Sequence, residues 1–201
     1  ATAERLHALG ASVALSARSA ATLQAAVSGM ARAIALPLDV TDHDSVKKAG
    51  ERIVREWGGF DLVLLVAGGY NEMRADAFDL HSANALVDLN LRGAFNCMDV
   101  VLPQLLRQGA GGIGIVASVA GFGGLPKALV YGPTKAALIN LSESLYLDLR
   151  PRGIAVYQVN PGFVATPLTA NNDFPMPALM SAGDAALALV DGLEKGRFHI
   201  H

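Results

Sequence analysis

Tyr131 and Lys135 stand four residues apart in Val130-Tyr131-Gly132-Pro133-Thr134-Lys135-Ala136-Ala137. On a helix a residue and its fourth neighbour share one face, so a phenol and an ammonium at this spacing converge on one substrate group or one ribose. A free phenol, with a pKa of about 10, is a poor proton donor or acceptor at neutral pH. A nearby cation favours the phenolate and moves the group toward the working range, and Lys135 is the expected cation. Ser118, thirteen positions before the tyrosine, and Asn90, in Asp88-Leu89-Asn90-Leu91-Arg92-Gly93, add a hydroxyl and a carboxamide to the set.

With these four residues the sequence resembles the short-chain dehydrogenase/reductase (SDR) family, and the resemblance runs along nearly the whole chain. It implies that Tyr131 passes a proton to or from the substrate oxygen and that Lys135 lowers the tyrosine pKa and holds the nicotinamide ribose. It also implies that Ser118 steadies the substrate oxygen and that Asn90 supports a water-mediated proton relay. The expected reaction is the interconversion of a carbonyl and a secondary alcohol by a nicotinamide cofactor. The alternative from another class is a non-catalytic nucleotide-sensing or scaffold protein of the same fold. Such proteins often lose the tyrosine or the lysine, and this chain keeps both.

Further matches fall where that family holds its cofactor. Asp39-Val40 ends the apolar run Ala33 to Leu38 and is expected at the adenine; Ala67-Gly68 ends the run Leu62 to Val66 and is expected beside the adenosine ribose. Asn160-Pro161-Gly162, with Val164 and with Thr166 four residues past Gly162, resembles the nicotinamide-carboxamide clamp. All lie at strand exits, where open α/β sheets bind ligands. Cofactor choice rests on the run Ala11 to Ser19. Ala17 stands where an NAD-preferring fold usually carries an acid for the ribose hydroxyls, and Arg18 follows it, with Ser16 and Ser19 as further phosphate ligands. A cation suits the 2′-phosphate, so NADP is expected, with NAD as the alternative if Arg18 only stacks on adenine or lies in solvent.

The elements that must position these groups alternate between strand and helix periods without linker or repeat. Strands are predicted near 11–16, 33–38, 61–66, 112–117, 154–159 and 197–201, and helices near 2–9, 20–30, 43–57, 77–107, 129–150 and 182–195. The resulting fold class is α/β, a Rossmann-type doubly wound parallel sheet in three α/β/α layers, forming one domain over residues 1–201. Thr41-x-x-Asp44 is predicted to cap the third helix, and Gly10 to stop the first. The resemblance also implies a strand and a glycine-rich phosphate loop ahead of Ala1; neither is in the sequence, so the chain is expected to be a fragment of a longer one. The string Gly109-Ala110-Gly111-Gly112-Ile113-Gly114 matches a dinucleotide-loop pattern but precedes a strand, which makes it a turn.

Specificity is expected to come from a short lid near 167–181 and an apolar pocket of Phe122, Leu125, Phe163 and Leu168, with Met176 as a further candidate, around a small carbonyl or alcohol. The loop Gly121 to Pro126 joins Ser118 to the tyrosine helix. Leu65-Val66-Ala67-Gly68 departs from the family's usual Asn-Asn-Ala-Gly, and Val66 cannot make the asparagine's hydrogen bonds. Two long apolar helices, around Asn90 to Leu106 and Leu129 to Leu149, imply by resemblance a homodimer or homotetramer.

The 201 residues are 52% hydrophobic and 17% charged with a formal net charge of −2, which suits a well-cored domain and gives no electrostatic basis for nucleic acid. No apolar run is long enough to span a bilayer, and no signal-peptide pattern is present. The single Cys97 cannot form an internal disulfide and is expected as a buried thiol in the cytoplasm. His199 and His201 point the same way on the last strand but have no acidic or thiol third ligand nearby, so no metal is expected. Asp76, Asp79 and His81 read as the solvated start of a helix.

Overall fold

A computed structural model describes residues 1–170 and 172–201; Asn171, in the expected lid, lies outside the described residues. In chain order the elements are α1 (Thr2–Ala8), β1 (Val13–Ala17), α2 (Ala20–Val27), β2 (Ala33–Pro37), α3 (His43–Trp57) and β3 (Leu62–Leu65). There follow α4 (Leu80–Val87), α5 (Gly93–Gln108), β4 (Gly112–Val116), α6 (Tyr131–Leu149), β5 (Ala155–Val159), α7 (Ala182–Glu194) and β6 (His199–Ile200).

All strand pairs are parallel, as runs of apolar residues alternating with helices require. They form two sheets, β1 with β2 and the order β3-β4-β5-β6. Instead of one continuous sheet, β1 and β3 each carry a single partner. The main core lies on the four-stranded sheet, where Ile113 and Ile115 of β4, Val156 of β5, Leu105 of α5 and Leu138, Leu145 and Leu149 of α6 are buried. A second cluster of Val159, Leu189 and Ile200 lies where α7 meets β5 and β6.

Two expectations are corrected. The helix expected over 77–107 is broken into α4, a π-helical turn at Asp88–Arg92, and α5. Gly93 follows that turn against Val40, where a Cβ would come 2.7 Å from Val40 Cγ2, and the extra residue of the π turn carries Asn90 into the interior, 1% exposed. The cap of α3 is Asp42, whose carboxylate accepts from the Asp44 and Ser45 amides. Thr41 is unavailable because its amide and hydroxyl both donate to Asp39 Oδ1.

Gly10 has φ +100 just past α1, and Gly109 and Gly111 take positive φ in the turn before β4. Val66 is exposed beyond the end of β3. Cys97 on α5 is partly buried, and burial pushes its thiol up to about 11, so it stays protonated at neutral pH. Among the described residues, no helix is long and apolar enough to cross a membrane.

Candidate active site

Tyr131 opens α6 and Lys135 lies one turn further on, 4% exposed. Lys135 Nζ is 5.7 Å from the Tyr131 ring centroid and donates to the Val116 carbonyl at the end of β4, at 2.9 Å. Burial in this apolar setting lowers the ammonium from the usual 10.5 to about 8. Burial also raises the Tyr131 hydroxyl above its ordinary value, and the nearby Ser118 hydroxyl acts in the opposite sense. In the protein alone, desolvation therefore outweighs the help that the charge pattern of the sequence leads one to expect.

Ser118 is placed by the loop that follows β4. Its hydroxyl accepts from the Ala120 amide at 3.1 Å and starts a short 3-10 turn, Val119–Gly121. The turn lies directly on α6. At Gly121 a Cβ would meet the Ala136 amide nitrogen at 2.8 Å and Ile139 Cδ1 at 2.7 Å, so only glycine permits the approach that brings Ser118 to Tyr131.

Asn90 uses its whole side chain on structure. Oδ1 accepts from the Gly69 amide at 2.7 Å, and Nδ2 donates to the Gly69 carbonyl and to Thr134 Oγ1, both at 3.1 Å. Thr134 Oγ1 donates in turn to the Tyr131 carbonyl at 2.8 Å. The carboxamide thus ties the exit of β3 to the first turn of α6. Beside it, a Cβ on Gly68 would come 3.3 Å from Asn90 Oδ1 and 3.4 Å from Lys135 Nζ, so Gly68 faces the same cluster.

The remaining expected residues lie at the exits of their strands. Arg18 and Ser16 are exposed beyond or at the end of β1, and no ion pair among the described residues includes Arg18. Ser19 caps α2 by accepting from the Thr22 amide, so its hydroxyl already has a structural task. Asp39 is held below the usual carboxylate range by its two bonds to Thr41, with Arg18 adding a smaller pull. The Val40 carbonyl accepts from Asn96 Nδ2 at 2.8 Å. Ala67 and Gly68 are exposed.

Beyond β5, the Pro161 carbonyl accepts from the Val119 amide at 3.2 Å, which joins this turn to the Ser118 loop. Gly162 has open space around it. Val164 pairs with Met180, while the Thr166 amide donates to Thr169 Oγ1, whose hydroxyl donates to the Val164 carbonyl. The expected lid therefore leaves and returns at one neck.

Of the apolar pocket residues, Phe122, Leu125 and Leu168 are exposed, and Phe163 faces Phe174 with ring centroids 6.0 Å apart. His199 and His201 stack 5.9 Å apart, and no group of three metal-binding side chains occurs among the described residues.

Sequence reading passed over four residues that build the site: Tyr70, Asn96, Lys127 and Thr134. Thr134 sits next to Lys135 in the motif and Tyr70 follows Gly68-Gly69 at a strand exit, so position alone was the available signal. Asn96 and Lys127 act through contacts to the backbone or to other loops that no spacing reveals.

Comparison with known proteins places the chain in a family and a fold. The family profile described as short chain dehydrogenase matches residues 1–175. An uncharacterized oxidoreductase of Myxococcus xanthus is 38% identical over 159 residues, covering 79% of this chain and 63% of that protein, so the chain spans less than two thirds of its length. The 3-oxoacyl-acyl-carrier-protein reductase FabG of Thermotoga maritima is 33% identical over 132 residues, 66% of this chain and 54% of that protein. Among solved structures, a short-chain dehydrogenase from Streptomyces avermitilis superposes with a TM-score of 0.88 at 26% identity, covering 99% of this chain and 81% of that one. With its Rossmann-like parallel α/β fold and its match along most of its length, the chain belongs to the short chain dehydrogenase family of oxidoreductases.

Proposed function

We propose that the protein is an NADP-dependent oxidoreductase that interconverts a carbonyl and a secondary alcohol, with Tyr131 as its general acid and base. The observation that carries this reading is the convergence of Tyr131, the neighbouring Ser118 and the buried Lys135 at the exit of β4. A phenol needs a cation and a hydroxyl at hand to exchange a proton with a substrate oxygen near neutral pH.

The residues present fit a nicotinamide cofactor. Arg18 is an exposed cation at the exit of β1 and suits a 2′-phosphate, while Asp39 and Val40 lie beyond β2, Ala67 and Gly68 beyond β3, and Pro161, Gly162, Val164 and Thr166 beyond β5. When bound, the nicotinamide supplies or accepts the hydride. In reduction, Tyr131 gives its hydroxyl proton to the substrate oxygen as that oxygen becomes an alcohol; in oxidation it takes the proton back. Ser118 donates a hydrogen bond to the same oxygen. Lys135, one turn along, would hold the ribose of the bound cofactor and favours the tyrosinate that proton transfer leaves behind. Asn90 holds the Gly69 and Thr134 segments in register for this geometry.

Phe122, Leu125, Phe163 and Leu168 form the apolar side of the substrate site, which suits a small carbonyl compound. Because one relative is a 3-oxoacyl-acyl-carrier-protein reductase, a 3-oxoacyl thioester is the first substrate to try. Initial rates with acetoacetyl-CoA and either NADPH or NADH are expected to show turnover, faster with NADPH; absence of turnover with any carbonyl or secondary alcohol tested would count against the reading. Phe95 and Leu106 on α5 and Leu147 on α6 remain exposed and provide apolar faces for a second copy, giving a homodimer or homotetramer that light scattering would detect.

A further inference from the structure

We propose that Tyr70 is a positioning residue for Tyr131, and that its setting depends on the clasp formed by Lys127; this rests on the reading of Tyr131 as the acid and base. Tyr70 lies beyond β3, directly after Gly69, whose peptide is held on both sides by Asn90. Its ring meets the Tyr131 ring edge to face, with centroids 5.3 Å apart at 84°, and this is the only aromatic ring pair that includes Tyr131 among the described residues. Edge-to-face packing fixes the plane of a ring in a way that a flexible aliphatic side chain does not. A phenol O–H lies in the plane of its ring, so that plane sets the direction in which the Tyr131 proton points, while the oxygen stays on the ring axis.

The far end of Tyr70 is anchored too. Its hydroxyl donates to the Lys127 carbonyl at 3.3 Å, and the Met73 amide donates to the same oxygen at 3.0 Å. Lys127 has φ +64, a left-handed conformation that is uncommon for a side chain of this kind and persists only where its surroundings hold it. Those surroundings are ionic. Lys127 Nζ reaches Glu72 Oε2 at 3.1 Å and Asp173 Oδ1 at 2.6 Å, and lies 5.8 Å from the centre of the Phe174 ring.

Three strand-exit segments therefore meet at Lys127: the one carrying Tyr70 and Glu72, the one carrying Lys127 itself, and the one carrying Asp173 and Phe174. Opening the contact to Asp173 frees the lysine that shapes the backbone on which Tyr70 rests. Tyr70 in turn sets Tyr131. The chain of contact runs from the outer segment to the reacting hydroxyl with no gap.

The test uses the full chain with NADPH and acetoacetyl-CoA, and compares Tyr70→Leu, Tyr70→Phe and Lys127→Met with Tyr131→Phe. Tyr70→Leu is expected to lower kcat roughly 10- to 100-fold while KM for NADPH stays within about 3-fold, because misplacing a reacting group costs rate more than binding. Tyr70→Phe, which keeps the ring, should recover most of that loss, and Lys127→Met should fall between the two. A crystal structure of Tyr70→Leu should show the Tyr131 ring turned from its place, a readout that needs no substrate. An unchanged kcat, or an unmoved Tyr131 in that structure, overturns the proposal. Full activity in Tyr131→Phe would instead overturn the reading of Tyr131 as the acid and base, on which the proposal rests, whatever Tyr70 does.

Discussion

Lys135 Nζ points at the Val116 carbonyl, 2.9 Å away, while sitting 5.7 Å from the centre of the Tyr131 ring. The ammonium is thus held at the end of β4 and lies beside the phenol without bonding to it. Burial dominates both groups, lowering the lysine and raising the tyrosine.

This burial makes stability depend on pH in a defined sense. Lys135 titrates at about 8 in the folded chain against a usual 10.5, so between these values the unfolded chain binds more protons and stability rises with pH. The gain is at most ~3 kcal/mol, since each pKa unit is worth about 1.4 kcal/mol. Tyr131 acts only at higher pH, where its raised value favours the protonated folded state and makes stability fall as the unfolded tyrosines ionise. Thermal melts of the cofactor-free protein at pH 7 and pH 9 should give the higher Tm at pH 9. Lys135→Met should flatten that difference and raise Tm at pH 7; an equal difference in the variant would sink the explanation.

Asn90 is 1% exposed and makes three hydrogen bonds to two segments. Asn90→Leu leaves the part-buried Gly69 amide and carbonyl without their partner, at a cost of at most about 1–3 kcal/mol each. Urea titration should show that loss, and turnover should fall with it because Tyr131 and Gly68 lose their common brace. A variant of wild-type stability would mean the carboxamide is replaceable.

Gly121→Ala tests how tightly the Ser118 loop is seated. The added Cβ would lie 2.8 Å from backbone atoms of Ala136 and Lys135, and backbone cannot swing away as a side-chain tip can. Overpacking of this kind costs about 1–3 kcal/mol, and here it also moves Ser118 away from Tyr131. A lower Tm together with a lower kcat is expected; retention of both would show that the loop shifts freely.

In the proposed function Arg18 carries the cofactor preference. Arg18→Glu should reduce kcat/KM with NADPH by roughly 10-fold or more and leave NADH use unchanged or better, because a carboxylate repels the 2′-phosphate and accepts from ribose hydroxyls. Parallel initial rates with the two cofactors decide it. A wild-type enzyme that prefers NADH would contradict the assignment.

Much of the scaffold was legible because the apolar runs are short and bounded. The run that forms β4 is Gly112–Val116 in the structure, and α3 occupies His43–Trp57 as its period implies. The break at Asn90 was not legible, since it depends on the close approach of Gly93 to Val40, residues far apart in sequence. The cap of α3 was misplaced by one residue because Thr41 and Asp42 are both good caps, and only the fold shows that Asp39 already engages Thr41. At the site, the pairing of Tyr131 with Lys135 was written in the spacing, whereas Tyr70 was hidden. The role proposed for it comes from a left-handed Lys127 and from a ring contact between a loop and the first residue of α6. Likewise the sequence displays the charge of Lys135 but not the burial that sets its direction of shift.

The central claim is that the Tyr131 hydroxyl moves the proton. It is tested most directly by comparing Tyr131→Phe with the wild type for NADPH binding, by fluorescence titration, and for turnover of a carbonyl substrate. Loss of the acid and base should lower kcat by about 100- to 10,000-fold, while NADPH affinity stays within about 3-fold because the ring remains. Turnover that survives the substitution unchanged would contradict it.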